Sequence, residues 1–190
     1  MRTTSTTALA TAAMMLATAA AAQAQAPQQW VIATGGTGGV YYPLGGGFAN
    51  ILGRTLPGVV ATAQVTGGSV DNLRLLGSGK AQIAFTQVDA AWDAIQGKDK
   101  FANGKLNIQA LAVLYANHMH VTSVASTGIK SVVGLKGRRV STGSTGSATE
   151  VFANRVLEAA GRTASDHEAF AVDVSPLGEE PRRRDAVGDV

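Results

Sequence analysis

Three glycine-bearing turns constrain this chain more than any other feature, because each stands between a short apolar run and the start of a helical pattern. They are Gly35-Gly-Thr-Gly-Gly39, Gly67-Gly-Ser69 and Gly143-Ser-Thr-Gly-Ser147. A strand, a glycine turn and a helix repeated in this order build a parallel sheet, since parallel strands need a crossover that is usually helical. The expected fold class is therefore α/β. Composition agrees: 45% of the 190 residues are hydrophobic and 15% charged, which suits a globular α/β chain and excludes a disordered one.

The apolar runs predict strands over Trp30–Thr34, Val59–Thr66 and Ala81–Thr86. Helices are predicted over Tyr42–Leu56, stopped by Pro57-Gly58; from a Ser69 cap to about Leu76, with Asp71 suiting the helix dipole; and through Trp92 to Ile95. Leu106–Tyr115 and Met119–Ala125 are apolar enough for two further strands. These meet at Ala116-Asn117-His118, where the chain is expected to leave one lobe for a second. Ile129–Leu135 then reads as a short helix, and Arg138–Thr142 as a strand. Ser147-Ala-Thr-Glu150 is a capping box opening a helix that ends near Gly161. Ala169–Val174 reads as one more strand, after which the arginine-rich end shows no periodicity.

The first residues carry a separate signal. Arg2 precedes a small-residue apolar run, Ala8–Ala22, that closes in Ala-Gln-Ala-Gln-Ala, the form of a cleavable secretory signal with cleavage after Ala24. The run is shorter than the roughly 20 residues a membrane span needs. The expected organisation is a signal peptide over residues 1–24, a first α/β lobe over 25–116, and the start of a second lobe over 117–190, in a periplasmic protein. The net charge of +3 is small and the basic residues are scattered without interleaved aromatics, which argues against a nucleic-acid partner. With no cysteine, thiol nucleophiles and cysteine metal sites are excluded.

At the carboxyl ends of parallel strands the three turns would face one crevice. Helix N-termini attract anions, and glycine allows a ligand close to the main chain. The hydroxyls of Thr37, Ser69, Ser144 and Ser147 could hydrogen-bond a carboxylate, with Gly38, Gly39 and Gly146 supplying close main-chain approach. Tyr41 or Tyr42 could wall the crevice, against the alternative that both pack α-helix on sheet. Gln87 would set an uncharged amide there, while Asp89 supports the next helix N-terminus. Nucleotide binding fails on detail, because Gly143-Ser-Thr-Gly-Ser-Ala-Thr-Glu150 lacks the lysine of a phosphate-binding loop. In Gly36-Thr-Gly-Gly-Val-Tyr41 a tyrosine stands where a dinucleotide fingerprint wants glycine. His118 and His120 would share one face of a strand, but no third ligand is near, so they read as hinge residues and no metal or cofactor is called for. No Gly-x-Ser-x-Gly elbow occurs. Trp30 and Trp92 read as core.

The stretches Thr34-Gly-Gly-Thr-Gly-Gly-Val-Tyr-Tyr-Pro-Leu-Gly45, Thr66-Gly-Gly-Ser-Val-Asp-Asn-Leu73 and Ala84-Phe-Thr-Gln-Val-Asp89 together resemble the TAXI family of TRAP transporter solute receptors. Leu135-Lys-Gly-Arg-Arg-Val-Ser141 and the turn after it are similar to the second-lobe entry of the same family, within the wider type II periplasmic binding proteins. The likeness runs from about Val31 to Gly161. It implies a monomeric two-lobed receptor that closes on a small carboxylate or amino acid, commonly glutamate or glutamine, and delivers it to an ion-gradient-driven membrane permease. It also implies ligand contacts at Thr37, Gly38, Gly39, Tyr42, Ser69, Gln87 and Ser147. Members of the family are longer, so the sequence is expected to stop partway through the second lobe, and a frameshift or premature stop is the reading of its atypical end. The competing expectations are an exported enzyme using Ser144 or Ser147, and a structural or partner-binding module.

Overall fold

A computed structural model of the chain describes residues 26–163 and 168–170. The expected signal peptide over residues 1–24 and the arginine-rich end lie outside the described residues. The fold is α/β, and every described ladder is parallel. Strand β1 (Gln28–Ala33) lies between β2 (Val59–Gln64) and β3 (Ile83–Ala84), giving the order β2-β1-β3. Helix α1 (Tyr41–Thr55) connects β1 to β2, and α2 (Ser69–Gly77) connects β2 to β3. Helix α3 (Val88–Gln96) follows, with a 3-10 turn at Asp99–Phe101. A second sheet pairs β4 (Arg139–Ser141) with β5 (Glu168–Phe170), and α4 (Ala148–Ala159) lies between them in the chain.

Local sequence explains the helix limits. Helix α1 ends where Leu56 turns extended before Pro57, a residue that disfavours helical backbone ahead of it. Helix α3 ends on Gly97, whose positive φ of 66° is the left-handed cap glycine adopts without strain. Burial then orients the helices. Val70 and Leu73 of α2 meet Ala90 and Ala94 of α3, and α4 adds Ala148 and Val151 to the same core around Phe101. The two sheet units thus share one apolar seam.

The sheet's switch in direction positions the site. From β1 the chain crosses to β2 on one side and then to β3 on the other, so the carboxyl ends of β1 and β3 form a topological switch point, where open α/β sheets bind ligands. Asn72 holds these ends together. Its wholly buried amide donates to the carbonyls of Thr34, after β1, and Phe85, after β3, and accepts from the Thr66 hydroxyl after β2. Thr34 in turn donates its hydroxyl to Gln64 O at 2.6 Å.

Several expectations are corrected. The third strand is two residues long rather than six, being paired only where it reaches the end of β1. Leu106–Tyr115 and Met119–Ala125 form no ladder: Leu111, Val113, Leu114, Val121 and Val124 are exposed, and no described strand lies beside them. Ile129–Leu135 is not one helix, because the chain makes 3-10 turns at Ala125–Thr127 and Val132–Leu135. Trp92 is 59% exposed, since Ala90, Asp93 and Ala94 form the buried face of α3 and leave Val88, Trp92 and Ile95 on the other.

Candidate functional site

A cleft of about 300 Å³ opens where the turns after β1, β2, β3 and β4 approach one another. The first unit contributes Gly35, Gly36, Gly39, Tyr41, Ser69 and Gln87; the turn before α4 contributes Gly143, Ser144 and Ser147, and the first turn of α4 contributes Thr149. Tyr115 and Asn117 enter from the unpaired stretch between the units. The expected Gly39, Tyr41, Ser69, Gln87, Ser144 and Ser147 are therefore brought together. A more open groove of about 480 Å³, lined by Gln64, Asp71, Arg74 and Lys80 among others, lies on the flank of α2.

Four expected residues stand outside the cleft lining. Thr37 and Gly38 are the central residues of a tight turn closed by Gly39 N donating to Gly36 O at 2.9 Å, which places them at its tip. Tyr42 follows Tyr41 by one helical position, about 100° around α1. Gly146 lies in the seam: its carbonyl accepts from the N–H groups of Val70 and Asp71, at 3.0 and 3.2 Å, and its own N–H donates to Glu150. A Cβ at Gly146 would land on the Asp71 carboxylate, and its φ of +80° is left-handed, so only glycine allows this approach.

That bond changes the role of one helix end. The first N–H groups of a helix lack intrahelical acceptors, and at α2 two of them are taken by Gly146 O. Nor does Ser69 cap α2; it is the first helical residue, and its hydroxyl accepts from Gln87 N at 3.1 Å and bonds the Tyr41 phenol. The helix ends that remain at the cleft belong to α1, through Gly39, Val40 and Tyr41, to α3, through its cap residue Gln87, and to α4, through Ser147, Ala148 and Thr149. Ser147 caps α4 as expected, accepting from Glu150 N at 3.1 Å. The other half of the box is displaced by one residue, because Glu150 accepts from Gly146 N while Ser147 N donates to Ser144 O.

Tyr41 packs its ring on Phe85, with centroids 5.5 Å apart, and presents one wall of the cleft. Burial raises the Tyr41 phenol above its usual pKa; the Ser69 hydrogen bond opposes this, and Tyr115 and Asp89 add to it. Tyr41 therefore presents a neutral hydroxyl to the cleft at ordinary pH. Among the described residues no Lys or Arg lines the cleft, and the groups there able to carry partial positive charge are backbone N–H groups at helix ends. His118 and His120 are exposed and lie on no strand, which removes the spacing argument for a metal pair; among the described residues no cluster of ligands suits a metal ion.

Sequence reasoning missed Asn72, Tyr115, Asn117 and Thr149. A signal existed only for Asn72, a polar residue set between Val70 and Leu73 on the buried face of α2.

Comparison with solved structures finds similarity to the alkanesulfonate-binding protein SsuA from Xanthomonas axonopodis pv. citri bound to MOPS, at 18% identity and a TM-score of 0.47. The match covers 79% of this chain and 49% of that one, so the chain spans about half the length of that structure. Residues 32–184 match the model of the NMT1-like family, and the chain belongs to that family.

Proposed function

We propose that this chain is part of a periplasmic solute-binding receptor that holds a small carboxylate-bearing solute in the cleft between its two sheet units. The observation that carries the reading is the convergence of two helix N-termini, those of α1 and α4, from different sheets on one cleft of about 300 Å³. That volume is at the small end of ligand sites. Partial positive charge at both ends suits an oxyanion. Ser144, Ser147, Gln87 and the neutral Tyr41 hydroxyl add directional hydrogen bonds. Contact with both units gives a solute its affinity only when the units are closed, which is how a hinged receptor works.

The finer reading follows the TAXI resemblance: glutamate, glutamine or a related acid as solute, a TRAP-type permease as membrane partner, lobes divided near residue 116, and export by the N-terminal signal. Binding without turnover is favoured over the enzyme reading by the use of the serines. Ser147 is occupied as a helix cap, Ser69 accepts from Gln87 N, and among the described residues no histidine lines the cleft.

The test is a thermal-shift and calorimetric titration of the chain with L-glutamate, L-glutamine and small dicarboxylates. A solute at one hundred times its Kd should stabilise the protein by about 2.7 kcal/mol. A flat response across all acidic solutes contradicts the proposal, and turnover abolished in Ser147→Ala would favour the enzyme instead.

A further inference from the structure

The seam between the sheet units carries an ion-pair cluster that the cleft does not use. Arg155 lies about two turns into α4, and among the described residues its guanidinium reaches carboxylates from the first unit only. It grips Asp93 of α3 most closely, Asp99 of the 3-10 turn at 3.1 Å, and Asp89 at the start of α3 at 3.9 Å. None of these four residues lines the cleft. The Asp93 side chain is only 11% exposed, and a carboxylate removed from water to that degree is costly unless a hydrogen-bonded cation accompanies it. Among the described residues the two Asp89 oxygens make no hydrogen bond, so Arg155, 3.9 Å away, acts on them through space.

We propose that Arg155 is a charge latch: it holds the second unit closed on the first, so that closure over the cleft has an electrostatic component independent of the solute. The inference rests on the receptor reading, in which the two units part and close. One cation from α4 faces three anions from the first unit, so separating the units leaves three neighbouring carboxylates without their shared counter-charge. The apolar contacts of Ala148 and Val151 hold the same seam but are insensitive to charge screening. Salt dependence is therefore the property that distinguishes the latch from ordinary packing.

The Val70 and Asp71 amides report opening, because their acceptor, Gly146 O, lies across the seam. Hydrogen exchange of these amides in the unliganded chain is the experiment. Arg155→Gln should accelerate their exchange roughly tenfold at low salt, an effect in keeping with partly exposed ion-pair networks. Arg155→Lys, which keeps the charge and loses the fork, should fall between the two. Raising NaCl from about 0.1 to about 1 M shortens the screening length from about 10 to about 3 Å. This should accelerate exchange in the unmodified chain and leave Arg155→Gln unchanged. Asp99→Asn, altering a side chain that is 35% exposed, should move exchange the same way by less, and it serves if Arg155→Gln fails to fold.

Unchanged exchange in a folded Arg155→Gln chain overturns the latch. So does equal acceleration at Thr34 N, which bonds Gln64 O inside the first sheet, because the residue would then support the fold rather than closure. If the exchange pattern is as expected but L-glutamate does not bind, the latch stands and the carboxylate reading falls. If L-glutamate binds without that pattern, only the latch falls.

Discussion

Two apolar stretches of this chain end in opposite environments. Val59–Gln64 lies in register beside β1 from Gln28↔Val59 to Ala33↔Gln64, and its residues alternate between half-buried and exposed as a strand's should. Leu106–Tyr115 is at least as apolar, yet Leu111 is 76% and Val113 93% exposed, and no ladder forms. Composition makes a segment capable of being a strand, whereas a neighbour with free N–H and C=O groups makes it one. The candidate cleft lies where the two kinds of region meet: its floor is tied by Asn72, and Tyr115 and Asn117 reach it from the untied stretch.

Substitutions can break the comparison or sharpen it. The largest effect is expected at Asn72→Ala, which leaves the Thr34 and Phe85 carbonyls and the Thr66 hydroxyl without their buried partner. Unsatisfied buried groups cost about 1–3 kcal/mol each, so urea denaturation should show a loss of about 3 kcal/mol or more. A loss below about 1 kcal/mol would mean that the strand ends hold without it. Ser147→Ala removes the α4 cap and should cost about 1 kcal/mol. It should also weaken solute binding, measured by titration, because the same turn forms one side of the cleft. The smallest effect is expected at Val113→Lys in the untied stretch, within about 0.5 kcal/mol in the same denaturation experiment. Leu106 and Ile108 pack against the core, so the contrast concerns Leu111–Leu114, and a large loss at Val113 would show that this part is packed as well.

Local chemistry made much of the fold legible. The four described helices follow from apolar spacing and from stops such as Pro57-Gly58, and the Ser147 cap could be read because its partner, Glu150, is three residues away. What depends on distant partners was not legible. Ser69 has the form of a cap, but the end of α2 is closed by Gly146 O from a turn far along the chain, and its hydroxyl serves Gln87 and Tyr41 instead. Thr37 belongs to the right motif, yet the tight turn between Gly36 and Gly39 sets it outside the cleft. Trp92 has the character of a core residue, but only the helix phase set by Ala90 and Ala94 decides which way α3 faces.

Backbone amide NMR during a titration with L-glutamate tests the central claim most directly, since the proposed recognition of an anion rests on main-chain N–H groups. Saturable shifts are expected at Gly36, Gly39, Ser144, Ser147 and Thr149, with Val113 and Leu114 unmoved. Saturable binding that leaves those five amides unshifted and perturbs another surface would contradict the account.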